Sequence, residues 1–431
     1  MTAQTASLTV TNARVFDGAG WLPDLHDVQV LDGVVTAVTP SAGSASDGSS
    51  GSTAPAAAAG TTDATPGTST TVDAAGAALL PGLIDCHVHV TAAHVGSMEA
   101  VHEPFSMEFF HAVTHLRQTL QTGVTAARDA GGADLGVKRA VQLGIVPGPE
   151  LHLAVQVIGQ TGGHSDHHTA SGADLPFFQQ HPGRPRSVAD GADDFLRLAR
   201  ELFRAGADQI KICSTGGVLS PTDDPRHSQM TAAEIEAVVG EATRHGSYVM
   251  SHAQGAEGIK TALRAGVRTI EHGIYLDAEA IDLMLDHEAF LVPTLQAPLE
   301  VIRGADSGTV SLPPAVVDKA RRVADVHQES IARAVEAGVR IAMGTDAGVG
   351  VHGTNLEELG LMPQVGMSRD DALRASTSTA AEVLRRDDLG RIGQGATAHL
   401  VLVREDDLDR LGELRAGDLR VWQHGREVTP S

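Results

Sequence analysis

Glu336-Ala-Gly-Val-Arg-Ile-Ala-Met-Gly-Thr-Asp346 holds the phrase on which this chain is built: the end of a helix, a glycine, a short apolar strand and a polar residue at its tip. The phrase recurs in Gln121-Thr-Gly-Val-Thr-Ala-Ala-Arg-Asp129, Arg204-Ala-Gly-Ala-Asp-Gln-Ile-Lys-Ile212, Arg244-His-Gly-Ser-Tyr-Val-Met-Ser-His252 and Arg264-Ala-Gly-Val-Arg-Thr-Ile-Glu-His272. A glycine after a helix takes the left-handed conformation without a Cβ penalty, so each one marks where helix yields to strand. Helix starts are also legible: Thr231-Ala-Ala-Glu234 has the form of a capping box, and Ser368-Arg-Asp-Asp371 is an N-cap with acids in its first turn.

Working outward, strands are expected at 79–85, 124–129, 151–157, 208–213, 247–252, 268–272, 290–295 and 339–345, nearly all separated by helical stretches. Alternating strands and helices imply a parallel sheet, and eight strands predict an α/β fold of the (β/α)8 TIM-barrel type. A doubly wound open sheet is the other candidate, weakened by the lack of a G-x-G-x-x-G or P-loop after any strand. Both ends of the chain are β-rich. Residues 8–15 alternate, 27–38 predict a hairpin turning at Asp32-Gly33, and 398–403 and 419–428 again read as strands. The expected organisation is a barrel over 77–387 beside a small β-sandwich built from 1–76 and 388–431, with 41–71, almost all Ser, Gly, Ala, Thr and Pro, as a flexible loop.

The 431 residues are enough to bury a sizeable core. With 32 Lys and Arg against 54 Asp and Glu, the net charge of −22 argues against nucleic acid or an anionic membrane as partner. Two cysteines, Cys86 and Cys213, are too few for a disulfide framework and suit a reducing compartment. No secretory signal and no membrane span is legible, so the expected location is the cytoplasm. The unusual count is 21 histidines.

Active sites of such barrels sit at the C-terminal ends of the strands, and several candidate strands end in metal-capable residues. Side chains alternate along a strand, so His87 and His89 share one face and can hold one ion together. Lys211 and Cys213 share the face opposite Ile210 and Ile212; His252, His272 and Asp346 end three further strands. A lysine among metal ligands is drawn toward the neutral amine. That amine can take up carbon dioxide as a carbamate, an anionic oxygen ligand able to bridge two cations. Four imidazoles with two anionic ligands suit two divalent ions, Zn²⁺ by default, whose water would be deprotonated to hydroxide.

Pro81-Gly-Leu-Ile-Asp-Cys-His-Val-His89, Lys211, His252, Ile270-Glu-His-Gly273 and Met343-Gly-Thr-Asp-Ala-Gly348 together resemble the amidohydrolase superfamily, in the branch of imidazolonepropionase-like proteins, Xaa-Pro dipeptidases, related carboxypeptidases and ochratoxin amidases. The resemblance spans nearly the whole chain. It implies His87, His89 and Asp346 on one ion, His252 and His272 on the other, and carboxylated Lys211 as the bridge. Asp346 would shuttle the proton from the attacking hydroxide to the leaving amine. His164, in Gly162-Gly-His-Ser-Asp166, matches a position that contacts the scissile carbonyl and could stabilise the oxyanion.

The expected activity is thus binuclear, metal-dependent hydrolysis of an amide or peptide bond in a small peptide or N-acyl amino acid with a free carboxylate. The alternative is a cyclic-amide hydrolase or deaminase of imidazolonepropionase type, which often runs on one metal. A small-molecule substrate and a homo-oligomer are the expected partners. Besides His164, candidate substrate contacts are Tyr248, on the parity of His252; Gln254, where dipeptidase members often carry an aromatic residue; and Arg128, read chiefly as an ion pair with Asp129 bracing the barrel mouth. Ala398-His399 stands where the family usually shows Ala-Asp.

Overall fold

The computed structural model of the protein describes residues 7–42, 69–93, 102–168, 171–175, 177–220, 223–308 and 312–429. Strands of the small sheet open the chain: β1 (Ser7–Val15), β2 (His26–Leu31), β3 (Val34–Pro40), β4 (Ser69–Asp73) and β5 (Ala78–Pro81). Among the described residues nine parallel strands follow: β6 (Leu83–Val88), β7 (Val124–Asp129), β8 (Glu150–Leu153), β9 (Val157–Ile158), β10 (Ile210–Cys213), β11 (Val249–Ala253), β12 (Thr269–His272), β13 (Phe290–Val292) and β14 (Arg340–Ile341). Three more close the chain: β15 (Leu400–Val403), β16 (Arg420–Gln423) and β17 (Arg426–Val428).

Both ends of the chain enter one mixed sheet of order β17-β16-β15-β5-β1-β2-β3, with β4 also on β1. β1 pairs antiparallel with β2 along its first half and parallel with β5 at Arg14 and Val15, so the sheet changes direction there. Leu8, Val10, Val28 and Val30 from one side of that switch share a core with Leu79, Leu400 and Trp422 from the other. The hairpin expected at Asp32-Gly33 forms, with φ of 49° and 80° as its turn requires. The stretch 419–428, read as strand throughout, is instead a second hairpin. His424 and Gly425 turn it with φ of 49° and 68°. Of the expected loop at 41–71, residues 43–68 lie outside the described residues, and 69–71 belong to β4.

The parallel strands form an α/β layer of two sheets, β6-β7-β8 and β14-β13-β12-β11-β10-β9. Backbone hydrogen bonds run across the gaps: Asp208 N–H donates to Leu153 O (2.7 Å), Cys86 N–H to Met343 O (2.9 Å), and His89 N–H to Ala347 O (2.7 Å). All five glycines of the recurring phrase take positive φ, from 68° at Gly246 to 101° at Gly206. The capping box at Thr231 and Glu234 and the cap at Ser368 also form. Helices bury one stripe each; Ala192–Ala205 turns Phe195, Leu198, Ala199 and Leu202 inward.

Three expected strands differ in detail. The stretch 79–85 is two strands, because the chain passes from the small sheet to the parallel one at Gly82. A Cβ there would collide with Thr125 and lie 2.6 Å from His399 Cβ. The stretch 151–157 breaks at Val155, whose φ is 68°. The last strand ends at Ile341; Ala342 N–H still donates to Leu291 O of β13 (2.9 Å), and the chain beyond turns to β6, with Asp346 N–H donating to His87 O (2.7 Å).

Candidate active site

Adjacent strands in register bring the polar ends together. Cys213 pairs with His252 across β10 and β11, and Ala253 with His272 across β11 and β12. Alternation puts Ile210 and Ile212 in the apolar core and turns Lys211 and Cys213 to the opposite side, where both line a cavity. His87, His89, His164, His252, Gln254, His272 and Asp346 line the same cavity. All are buried. His272 and Asp346 have φ of 72° and 60°. Such a conformation in a non-glycine residue costs on the order of 1–3 kcal/mol and is held by its surroundings. At His272 it breaks strand alternation, so that Glu271 and His272, though adjacent, both reach inner groups.

The donor atoms converge. His87 Nε2 and His89 Nε2 lie 3.4 and 3.3 Å from Asp346 Oδ1, and Lys211 Nζ lies 3.1 Å from His87 Nε2. The far nitrogens are already occupied: His87 Nδ1 donates to Glu271 Oε2 (2.8 Å) and His89 Nδ1 to Gly131 O (2.8 Å). His272 Nδ1 meets Thr294 Oγ1 at 2.7 Å. Imidazoles that hold a cation through one nitrogen use the other in this way, so the donor set fits a divalent ion. His252 and His272 stand edge to face, centroids 4.6 Å apart, with His252 Nε2 3.2 Å from Gly216 O.

Burial, then neighbouring cations, pulls the pKa of His87, His252 and His272 well below the usual imidazole value, which leaves lone pairs rather than protons at the site. Burial disfavours charge on His89 and on Asp346 too, but each supports the other: the imidazole is raised and the carboxyl falls below the ordinary carboxylate range. Burial also lowers Lys211, against the pull of Glu271 and Asp346. Cys213 is pushed up to about 12 by burial and is a thiol at neutral pH.

His164 stacks on His252 with centroids 4.1 Å apart. Its Nδ1 lies 2.8 Å from Ser220 Oγ and 3.5 Å from Asp223, and its backbone N–H donates to Gln229 Oε1 (2.8 Å). Gln254 reaches the cavity with its side-chain oxygen buried and unpartnered. Apolar walls come from Phe177, Phe178, Val218, Ile274, Pro298 and Val301.

Two expected contacts lie elsewhere. Arg128 is fully buried within the parallel sheets, donating to Cys86 O (2.6 Å), Thr269 Oγ1 (3.1 Å) and Glu271 (2.9 Å). Its ion pair is with Glu271 and not with Asp129, whose carboxylate accepts the backbone N–H of Val90, Gly131 and Ala133. Tyr248, directly before β11, stands among Arg128, Arg268 and Arg385. Neither side chain lines the cavity. Parity along β11 puts Tyr248 on the inner side, but at the opposite end from His252.

Sequence reasoning gave no role to Glu271, although it stands inside the quoted Ile270-Glu-His-Gly273 and shares the face of Thr269, whose hydroxyl and whose Arg128 partner it contacts; the positive φ that brings its neighbour His272 inward as well is invisible in a strand pattern. Ser220, Asp223 and Gln229 come from a loop after β10 that carries no recognisable signal.

A model of the amidohydrolase family matches residues 78–429. The ochratoxinase of Aspergillus niger is 29% identical over 370 residues, covering 81% of this chain and 73% of its own. Among solved structures, a prolidase complexed with N-methylphosphonate-L-proline is 31% identical and superposes with a TM-score of 0.85 over 99% of this chain and 100% of its own. A Xaa-Pro dipeptidase with bound methionine is 29% identical, with a TM-score of 0.83 over 98% and 100%.

Proposed function

This chain belongs to the amidohydrolase family, and on that premise we propose that it is a binuclear metal-dependent hydrolase of an amide or peptide bond in a small peptide or N-acyl amino acid with a free carboxylate. The observation that carries the reading is the approach of His87 Nε2 and His89 Nε2 to Asp346 Oδ1 at 3.4 and 3.3 Å, with Lys211 Nζ beside them. We assign His87, His89 and Asp346 to one ion, His252 and His272 to the second, and Lys211, as its carbamate, to both. Carboxylation would replace the amine nitrogen that now faces His87 by an anionic oxygen ligand. Divalent ions held by this set, Zn²⁺ by default, would supply hydroxide at neutral pH and a positive field for the scissile carbonyl.

The chain's own residues do the rest. Asp346 takes the proton of the attacking nucleophile and hands it to the leaving nitrogen. His164, held by Ser220 and facing Asp223, donates to the carbonyl oxygen as that atom gains negative charge. Gln254 offers its unpartnered side-chain oxygen as an acceptor to an N–H of the substrate, and Val218, Ile274, Pro298 and Val301 enclose the substrate's side chain and exclude water. We further read the two parallel sheets as one closed (β/α)8 barrel over 77–387, with the mixed sheet from 1–76 and 388–431 as a sandwich beside it. Among the described residues no helix is long and apolar enough to cross a membrane. Cys86 and Cys213 are free and buried, which supports a working place in the cytoplasm.

The test is chelation followed by reconstitution, assayed on panels of dipeptides and N-acyl amino acids. Activity should vanish with the ions and return with Zn²⁺, Mn²⁺ or Co²⁺, and replacing His87, His89, His252 and His272 should remove two ions per chain. Hydrolysis that survives complete metal removal would end the reading. Loss of a single ion, together with turnover of lactams alone, would favour the ring-opening alternative.

A further inference from the structure

Away from the cavity, a second group of ligand-type side chains converges where the small sheet meets the parallel one. Glu150 opens β8, His399 directly precedes β15, and His424 sits in the turn between β16 and β17. Glu150 Oε1 lies 3.0 Å from His399 Nε2 and 3.1 Å from His424 Nε2, and the two rings stand 4.6 Å apart at 62°. The three ligand atoms lie within 4.8 Å of one another. We propose that Glu150, His399 and His424 form a further divalent-cation site, of the kind Zn²⁺ takes, which clips the small sheet to the parallel sheet.

The chemistry of the donors supports an ion. Two imidazoles and one carboxylate are a mixed N and O set, and tetrahedral Zn²⁺ with bonds of about 2.0–2.1 Å spaces its ligands about 3.3 Å apart, close to the spacing here. The other oxygen of Glu150 is held by Arg386 Nη1 (3.1 Å), and Arg386 is itself clamped by Asp388 through Nε and Nη2, both at 2.7 Å. A ligating carboxylate is oriented by such an outer hydrogen bond. Asp388 also offsets the guanidinium charge, so an arriving cation does not meet a net positive group.

The backbone fixes the geometry before any ion arrives. Gly425 N–H donates to Ala398 O (2.8 Å), which ties the turn carrying His424 to the residue before His399, and Gly82 N–H donates to His399 O (2.7 Å). His399 is buried, whereas the His424 side chain is 54% exposed, which leaves an open side on which water could complete the coordination. The rival account is three side chains held only by hydrogen bonds, both imidazoles donating to one oxygen.

The experiment uses the full-length protein, stripped by a chelator and dialysed against Zn²⁺, with ions counted by mass spectrometry. The variants are His424→Asn, which suits the left-handed backbone there, the double variant His399→Gln/His424→Asn, and a cavity variant, His87→Ala/His89→Ala. Each clip variant should hold one ion fewer than wild type while its hydrolytic activity is kept, and its melting temperature should gain less from Zn²⁺. The cavity variant should retain an ion that is lost when His424→Asn is added. Equal ion counts in wild type and His424→Asn would overturn the proposal. His424→Asn lies on an exposed turn, so the count can still be made should the double variant not fold. An empty cavity with an occupied clip would sink the proposed activity and leave this inference standing.

Discussion

His87 and Glu271 share a short hydrogen bond, Nδ1 to Oε2 at 2.8 Å, with both side chains buried. The carboxylate fixes the proton of His87 on Nδ1, so that Nε2 faces Asp346 and Lys211 as a lone pair. It thereby orients a proposed metal ligand without itself lining the cavity. Removing such an outer partner typically costs 10–100-fold in metal affinity. Glu271→Gln should therefore weaken binding of the cavity ion by about 10- to 100-fold in a competition titration against a chelator. Unchanged affinity would mean that the ring is oriented by packing alone.

Arg128 completes that network from beneath, donating to both oxygens of Glu271 at 2.9 and 3.1 Å. Breaking a buried pair leaves a carboxylate unpaired and typically costs about 3–5 kcal/mol. Arg128→Met should lower the stability of the metal-free protein by about that amount in denaturant titration, with KM unaltered in the folded fraction. A raised KM at unchanged stability would instead place the guanidinium against substrate.

The outcome for Arg128 illustrates what a single chain can reveal. The five repeated glycines declared the helix-to-strand alternation because each does a local job, closing a helix with positive φ. The candidate ligands were legible for the same reason: period-2 alternation sends His87 and His89, or Lys211 and Cys213, to one side. What stayed hidden depends on departures from that period. Val155, His272, Thr294 and Asp346 all take positive φ with no glycine to announce it. These breaks split one expected strand, turn His272 inward beside Glu271, and carry Asp346 off its ladder. Partners such as Glu271 for Arg128, or Asp223 for His164, are far apart in the chain and depend on loop geometry that no pattern encodes.

Gly217 offers a way to move His164 without altering its chemistry. A Cβ at this position would collide with His164 Cε1 and lie 2.6 Å from Nδ1, so Gly217→Ala must displace the ring from Ser220 and from its stack on His252. Loss of one oxyanion donor costs about 10²–10³ in kcat, and a fall of that order is expected, with the ion count unchanged. Gly246→Ala is the control. Its Cβ would meet open space, and its φ of 68° makes the cost one of about 1 kcal/mol in stability, with kcat unaffected. Equal kcat in Gly217→Ala and wild type would remove His164 from the reaction.

Asp388 makes the acid side of the stability profile testable. The Arg386 guanidinium, with Thr397 assisting, draws its carboxyl from the ordinary 3.8 down to about 2. A carboxyl depressed on folding binds fewer protons in the native state than in the unfolded chain. Its stabilisation is therefore complete above about pH 4 and is lost as the pH falls toward 2. In wild type, urea midpoints of the metal-free protein should decline across that window. In Asp388→Asn, which cannot titrate, the decline should be shallower, and the two curves should converge at the acid end. Parallel curves would show that Arg386 is held by Glu150 alone, and that the charge of Asp388 contributes nothing to joining the two sheets.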